Sequence, residues 1–489
     1  MSAAAPAFSV VPFDRRPIPA AVFEVLACSA FIAAASLAFL AGWLTLEGAM
    51  VLTVGLLASL IVLSWVHLGR GRHPVFLFLC TLMLFQGGKL IAYCLGTEGD
   101  PMRIVIMTPN PFYISRSGQA TTLLSLAISA VCLYAPSRWM YRPLPPPDTR
   151  SVQKYLPYLY VVLLVGIPVL LYKNYGFYQM AQAHGGYTFV FSHQRDLVAK
   201  MPFLIRAASA LTFPVFVAIY TFETRKLRLA VTTILYFAAT AALLLLGSRG
   251  AVFQMIATLW YITRVKSRGR PKVFRIVVGV LMLAILATSI REIRENPENP
   301  ELSTRVFSVL TDELNFQGYS LDVTQVTVEY SQRLRRYVAS YLLHELWSSY
   351  TTYDPAHYSP GTLLDFDVSV LLNPYAFSLG IGTGGSFVGE AYLIGGLAGV
   401  ALISLLLGAG LAVLHSMNAT ARGLFLGATL VYSVIWLPRG SMLSWLSAFS
   451  RNMLLVGLLA IGWGVYSLIV SIRHNPANYE ATPNEAPAP

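Results

Sequence analysis

Charge is what this chain of 489 residues has least of. Asp, Glu, Lys and Arg make up 12% of it, about half the share of a soluble domain, which excludes a cytosolic Rossmann or barrel enzyme and a disordered chain. Cysteine is scarce too: Cys28, Cys80, Cys94 and Cys132 all fall in apolar runs, with no C-x-x-C and no Cys/His metal spacing. A disulfide scaffold is therefore excluded, no metal or other cofactor is expected, and the four thiols read as small core residues. No basic stretch with interleaved aromatics lies on a polar face, so nucleic acid is not an expected partner despite the net charge of +12. No long internal repeat is visible either, which disfavours an inverted-repeat transporter.

What is there is hydrophobic sequence: 56% of residues, with a mean hydropathy of +0.60. The lipid bilayer is the expected solvent. A crossing helix needs roughly 20 apolar residues, and such runs cover 21–45, 50–68, 75–95, 119–136, 156–172, 203–222, 229–247, 250–264, 273–290, 387–413, 422–437 and 452–472. The expected fold is an all-α polytopic membrane protein of about twelve transmembrane helices. Met1–Pro19 leads into a full-length span rather than a short apolar core and cleavage site, so the first span reads as its own insertion signal.

Orientation follows from the basic residues. Nineteen fall on the side of the N-terminus, including Arg15, Arg16, Arg70, Arg72 and six between Arg264 and Arg275, against eight in the short loops of the other side. Both termini are then cytoplasmic. This divides the chain into nine spans over 1–290, a large outer loop over 291–386, three spans over 387–472, and a polar, Pro-rich tail over 473–489 that reads as disordered. The outer loop holds twelve acids against six arginines. Ser303 and Thr304 can cap a first helix there, and a second, about 322–350, carries Tyr341, Leu342, Trp347 and Tyr350 as though lying across the bundle mouth. Outer loops 96–118 and 173–202 are long and aromatic, placing function on the outer face.

Three motifs there suggest chemistry. Gly247-Ser248-Arg249-Gly250 reads as a helix end followed by a Ser N-cap, whose free N–H groups with Arg249 suit a phosphate or diphosphate; the plainer reading is a tight turn. The run 380–399, GIGTGGSFVGEAYLIGGLAG, feeds a glycine loop into a membrane helix carrying Glu390 in its first turn and Tyr392 next, with Gly395 and Gly399 as a small-residue packing face. Pro438-Arg439-Gly440 ends a span, and the apolar stretch 441–450 reads as interfacial or re-entrant. His193, Arg195 and Lys200 precede the sixth span, Arg206 lies inside its outer end, and Lys89 is a further cation within the third. Arginines converging with one carboxylate are what lipid-diphosphate chemistry needs: cations for the leaving group and a base for the acceptor hydroxyl.

These motifs resemble the O-antigen polymerase (Wzy) family, most tellingly in the glycine–Glu-Ala-Tyr stretch of 380–399. The resemblance implies a GT-C-like glycosyltransferase of the bacterial inner membrane, acting at the periplasmic face without a metal. It would transfer a growing glycan from undecaprenyl diphosphate onto a new undecaprenyl-diphosphate-linked oligosaccharide, with a flippase and a chain-length-determining co-polymerase as partners. Carried onto this chain, Arg249 and Arg439 would hold the donor diphosphate, and Glu390 with Tyr392 would serve the acceptor, His193 and His344 being further candidates for the base. The first outer loop, 45–50, offers only Glu47, not the acidic pair of a metal-dependent enzyme. An O-antigen ligase is the nearest alternative, disfavoured because His344 is followed by Glu345 and His357 by Tyr358 rather than by Asn. A transporter or flippase of lipid-linked sugars is the other, and would need broken helices and a midplane site.

Overall fold

The computed structural model describes residues 18–97, 100–104, 114–184, 190, 197, 200–245, 249–267, 306–351, 358–379 and 382–473. Among them the chain is helical. Eight helices are long and apolar enough to cross a membrane, or nine if one bent pair is a single span. The span expected at 273–290 lies outside the described residues, as do Ser303 and Thr304.

The first that fit are α1 (Ile18–Leu40), α2 (Leu46–His67), the bent pair α3 (Pro74–Phe85) and α4 (Gly88–Cys94), α5 (Arg116–Trp139), α6 (Leu156–Ala183) and α7 (Phe203–Phe222), after which come α8 (Lys226–Leu245) and α9 (Arg249–Lys266). After 291–305 come α10 (Val306–Gln317), α11 (Ser320–Glu329), α12 (Val338–Trp347), α13 (Leu364–Leu372) and α14 (Pro374–Ser378). The bundle closes with α15 (Phe387–Met417), α16 (Ala421–Val434) and α17 (Ser444–Arg473). Polar residues start the helices at predictable places. Thr45, Ser115, Ser386 and Thr420 each accept a backbone N–H from three residues on, satisfying a donor that the first turn leaves free.

α5 and α15 form the centre. Small residues let them touch: a Cβ on Gly408 would lie 2.5 Å from the Leu133 carbonyl oxygen. Ser404 Oγ donates to Ser129 Oγ (2.9 Å), and Ser137 Oγ to the Gly408 carbonyl (3.1 Å). Close approach and hydrogen bonds are what associate helices where lipid removes the hydrophobic drive.

The close-packing face on α15 is thus Ser404 and Gly408, not Gly395 and Gly399. Gly395 and Gly396 instead break the helix, Gly396 at φ +61°, where only glycine is unstrained. The break removes the turn partner of the Leu393 carbonyl, which accepts from Arg335 Nε at 3.0 Å.

Other expectations need correction. The helix expected at about 322–350 is several. α11 is buried over nine of its ten residues, inserted between α5, α15 and α13. Only α12 presents Leu343 and Trp347 outward, as a mouth-lying helix would. The polar residues of α11 can be buried because most of their donors find partners: Thr324 donates to Gln86 at the end of α3, Gln325 to the Met102 sulfur, and Thr327 to the Val323 carbonyl of its own helix. Residues 444–450 form the first turns of the last helix, α17. Cys94 is exposed and the other three cysteines are half-buried, so none is a fully buried core residue. Lys89, on α4 beyond a 65° bend, is no solitary cation: its Nζ donates to Asp322 Oδ1 of α11 at 2.7 Å and to the Arg103 carbonyl at 3.2 Å. Burial pushes the Asp322 carboxyl up and Lys89 opposes it. α4 meets α10 by backbone, since a Cβ on Gly88 would lie 2.4 Å from the Leu314 carbonyl oxygen.

The Lys89–Asp322 pair is almost wholly buried on both sides. Removing one partner leaves a buried charge unpaired, at a cost of about 3–5 kcal/mol. Asp322→Ala is expected to lower the thermal unfolding midpoint in detergent clearly, and Lys89→Met with Asp322→Leu to recover most of the loss. An unchanged midpoint in Asp322→Ala contradicts the role of the pair.

Candidate functional site

Three stretches remote in sequence meet at the end of the bundle that carries α10–α14. The glycine loop before α15 lies on the turn before α17: Gly385 N donates to the Arg439 carbonyl (3.1 Å), and a Cβ on Gly385 would stand 2.9 Å from the Gly440 carbonyl carbon. Gly384 adopts φ +77° with Arg439 against it. From a third direction the first turn of α9 reaches the same turn, since a Cβ on Gly250 would lie 2.5 Å from the Trp436 ring. Glycine is required at Gly385 and Gly250 by this close approach rather than by flexibility.

Arg439 occupies an aromatic corner. Its guanidinium carbon lies 5.8 Å from the Phe85 ring centre and 5.9 Å from that of Trp436, within reach of a cation–π contact. Nη1 donates to Gln317 Oε1 at 2.9 Å, and Gln317 Nε2 donates to Glu313 Oε1 at 2.6 Å. Gln86 fixes the frame: its amide nitrogen donates to Ser386 Oγ (3.0 Å) and to the Pro438 carbonyl (2.6 Å), and its oxygen accepts from Thr324 Oγ1 (2.9 Å). Ser386, the cap of α15, also lies 2.7 Å from Thr324 Oγ1. One buried amide thereby ties α3, α11, α15 and the Arg439 turn together.

Two carboxyls complete the site. Glu390 Oε2 accepts from Met442 N (2.5 Å) and Glu345 Oε2 from Leu443 N (2.8 Å), so successive N–H groups of one turn hold one acid each. Glu345 is 0% exposed and Glu390 3%. The two carboxyls are near enough to influence one another, and Oε1 of each has no hydrogen-bond partner. Two like charges this close disfavour joint ionisation, so the pair holds a proton more readily than either acid would alone. Burial, against the pull of the Leu443 N–H and of Glu390, pushes the Glu345 carboxyl up to about 7. Asp365 bears on both and is itself pushed up to about 6, by burial and by its neighbour Asp367. Asp367 accepts from the Tyr341 hydroxyl (2.5 Å), the Tyr358 hydroxyl (2.7 Å) and Gly361 N (3.0 Å). Burial and that carboxylate push both phenols up.

The sequence candidates fall as follows. Arg439 and Glu390 are brought to one turn, and Arg249 opens α9 one residue before Gly250, its side chain lying outside the described residues. Tyr392 is not brought in: two residues from Glu390 it takes another face of α15, half-buried against the main core. Arg206 is exposed on the first turn of α7, away from this turn. His193, Arg195, Ser248 and His357 lie outside the described residues. His344 Nδ1 is 2.8 Å from the Ser340 carbonyl of its own helix. Glu345 was missed as a site residue, though its spacing from Tyr341 puts an acid on the apolar stripe of α12, a signal the sequence does carry. Gln86, Thr324 and Gln317 had no such signal. Among the described residues no three His, Cys, Asp or Glu side chains are grouped to hold a metal.

The model of the O-antigen polysaccharide polymerase Wzy family matches residues 22–469, nearly the whole chain, and the chain belongs to that family. Comparison with curated proteins and with solved structures returns no match.

The carboxyl pair has a pH signature. An acid whose folded-state value stands above its ordinary 4.5 stabilises the fold only while protonated. Stability is therefore expected to be fullest below about pH 4.5 and to fall, by on the order of 3 kcal/mol, as pH rises to about 7, then to level. Thermal midpoints measured across that range should show the decline in the wild type and a shallower one in Glu345→Gln, which loses the part between about pH 6 and 7 and keeps the part owed to Asp365. An unchanged decline in Glu345→Gln places the titration elsewhere.

Proposed function

We propose that this membrane polysaccharide polymerase acts at the periplasmic face of the inner membrane, moving a growing glycan from undecaprenyl diphosphate onto a new undecaprenyl-diphosphate-linked repeat unit. The twelve-span, GT-C-like architecture belongs to this reading, as do a flippase that delivers the units and a co-polymerase that sets chain length. The observation that carries it is the turn 438–443, which carries Arg439 and, through the N–H groups of Met442 and Leu443, holds Glu390 and Glu345.

In the proposed step the acceptor's hydroxyl oxygen attacks the anomeric carbon of the donor's first sugar. The bond from that carbon to the diphosphate oxygen breaks, and the diphosphate leaves with the electron pair. Arg439, with the N-terminal turn of α9 and Arg249 beside it, neutralises the charge that develops there, so no metal is called for. The hydroxyl proton passes to the Glu390–Glu345 pair, whose ionised form is the base. An acid at about 7 is matched to that task near neutral pH. The aromatics of the outer loops offer faces for sugar rings.

A transporter of lipid-linked sugars is the second reading, favoured by the breaks at Gly395–Gly396 and between α3 and α4. One experiment separates the two. In cells lacking their own polymerase and supplied with this chain, Arg439→Ala, Arg249→Ala and Glu390→Gln are each expected to cut polymer at least about 100-fold. Single repeat units should still reach the outer face, and the protein should remain at wild-type level in the membrane. Full-length polymer from the Arg439 and Glu390 variants overturns the site, and loss of the single units as well favours the transporter.

A further inference from the structure

A cavity of about 540 Å³ lies between α1, α2 and α5, and none of its walls belongs to the Arg439 turn. Small side chains leave the space: Ala35 of α1, Ala49 of α2, and Ala120 and Ala127 of α5. Two hydroxyl residues in the walls are turned back on their own helices. Ser36 Oγ donates to the Ile32 carbonyl (2.7 Å) and Thr53 Oγ1 to the Ala49 carbonyl (2.8 Å). The lining left to meet a guest is mainly hydrocarbon. Water would find few of the polar partners it needs there.

Charge stands at one end of this slot. Arg116, the first residue of α5, lines it beside Leu40, Gly42 and Leu44, which end α1 and lead to α2. Its guanidinium carbon lies 5.4 Å from the Phe39 ring centre, so the cation is held over the rim. Among the described residues the ion pairs join Glu24 to His67 and Arg138, Lys89 to Asp322, and Arg228 to Glu223, and none includes Arg116. The acid nearest in the fold serves the backbone instead: Glu329 Oε2 accepts from Ser115 N (3.3 Å) and Ser115 Oγ (2.7 Å). That contact complements the start of α5 and puts the mouth of the slot at the end of the bundle that carries α10–α14.

Depth identifies the guest. From Arg116 to Ala127, α5 rises roughly 16 Å, which is about half of a hydrocarbon core of roughly 30 Å. The slot is therefore one leaflet deep, with a cation at headgroup level. An acyl chain fits that depth; a polyprenyl carrier chain is far longer than one leaflet. We propose that the cavity is a binding site for one anionic phospholipid of the adjoining leaflet, its acyl chain in the slot and its phosphate on Arg116. A zwitterionic lipid brings its own cation to the mouth, whereas an anionic one meets Arg116 uncompensated, a preference of about fivefold. The lipid braces a helix that polar contacts hold at its other end. In the first half of α1, Glu24 accepts from the Tyr134 hydroxyl (2.8 Å) and from Arg138 Nε (3.1 Å). The cavity runs along the second half, from Phe31 to Leu40. None of this depends on the polymerase reading.

The test uses the full chain, stripped of lipid in detergent and titrated with phosphatidylglycerol or phosphatidylcholine of matched chains, read by native mass spectrometry and thermal unfolding. The wild type is expected to hold one phosphatidylglycerol about fivefold more tightly than phosphatidylcholine and to unfold at a higher temperature with it. Arg116→Gln should bind both lipids alike. Ala120→Phe, which fills the slot, should bind neither tightly, while unfolding no lower than the lipid-free wild type. Equal affinities in the wild type, or a preference that survives Arg116→Gln, overturn the headgroup contact. Tight binding that persists in Ala120→Phe overturns the cavity as its place. Displacement of phosphatidylglycerol by undecaprenyl phosphate at equal mole fraction overturns the assignment to a bilayer lipid.

Discussion

The site depends on one buried amide. Gln86 sits at the end of α3 with no exposure to solvent, and its three hydrogen bonds reach α11, the cap of α15 and the Pro438 carbonyl. Where water cannot compensate, each bond left unmade costs the full desolvation of its group, so the four segments must keep their mutual positions. Arg439 follows Pro438 directly, and Glu390 lies in the first turn of the helix that Ser386 caps. Fixing the amide therefore fixes how far the cation stands from the acids. The Lys89–Asp322 pair, two residues along α11 from Thr324, anchors the same inserted helix from its other side.

The division of charge around this frame carries the chemistry. The cation stands on the rim, Arg439 being half-buried between rings. The acids are withdrawn: Glu390 and Glu345 are buried, each held by one backbone N–H. That arrangement suits a reaction in which negative charge leaves on a diphosphate while a proton is taken from a hydroxyl. Burial raises the Glu345 carboxyl into the range where it can exchange a proton near neutral pH, and Arg439 is held by Gln317 and two aromatic rings.

Much of this was legible in the sequence. Hydropathic runs placed the eight or nine spans found among the described residues, because about twenty apolar residues have few other uses. The three motifs around Gly250, 380–390 and Arg439 do meet, and glycine marked two of the contacts because backbone approach leaves no room for a Cβ. The Gly395–Gly399 spacing misled: a glycine pair serves a helix break as well as a helix interface, and only the φ of Gly396 distinguishes them. Lys89 read as a lone cation because its partner is 233 residues away. Glu345 was one acid among twelve, and the continuous amphipathic pattern over 322–350 concealed that its first part is inserted and only its last lies on the surface. Pairings that close across hundreds of residues leave no local trace in hydropathy.

The most direct test of a carboxyl-and-arginine polymerase is the reaction itself. The purified chain in detergent, given undecaprenyl-diphosphate-linked repeat units that match its native polymer, should yield a ladder spaced by one repeat, undiminished by EDTA. No ladder from folded protein, or one that EDTA abolishes and a divalent cation restores, would contradict it.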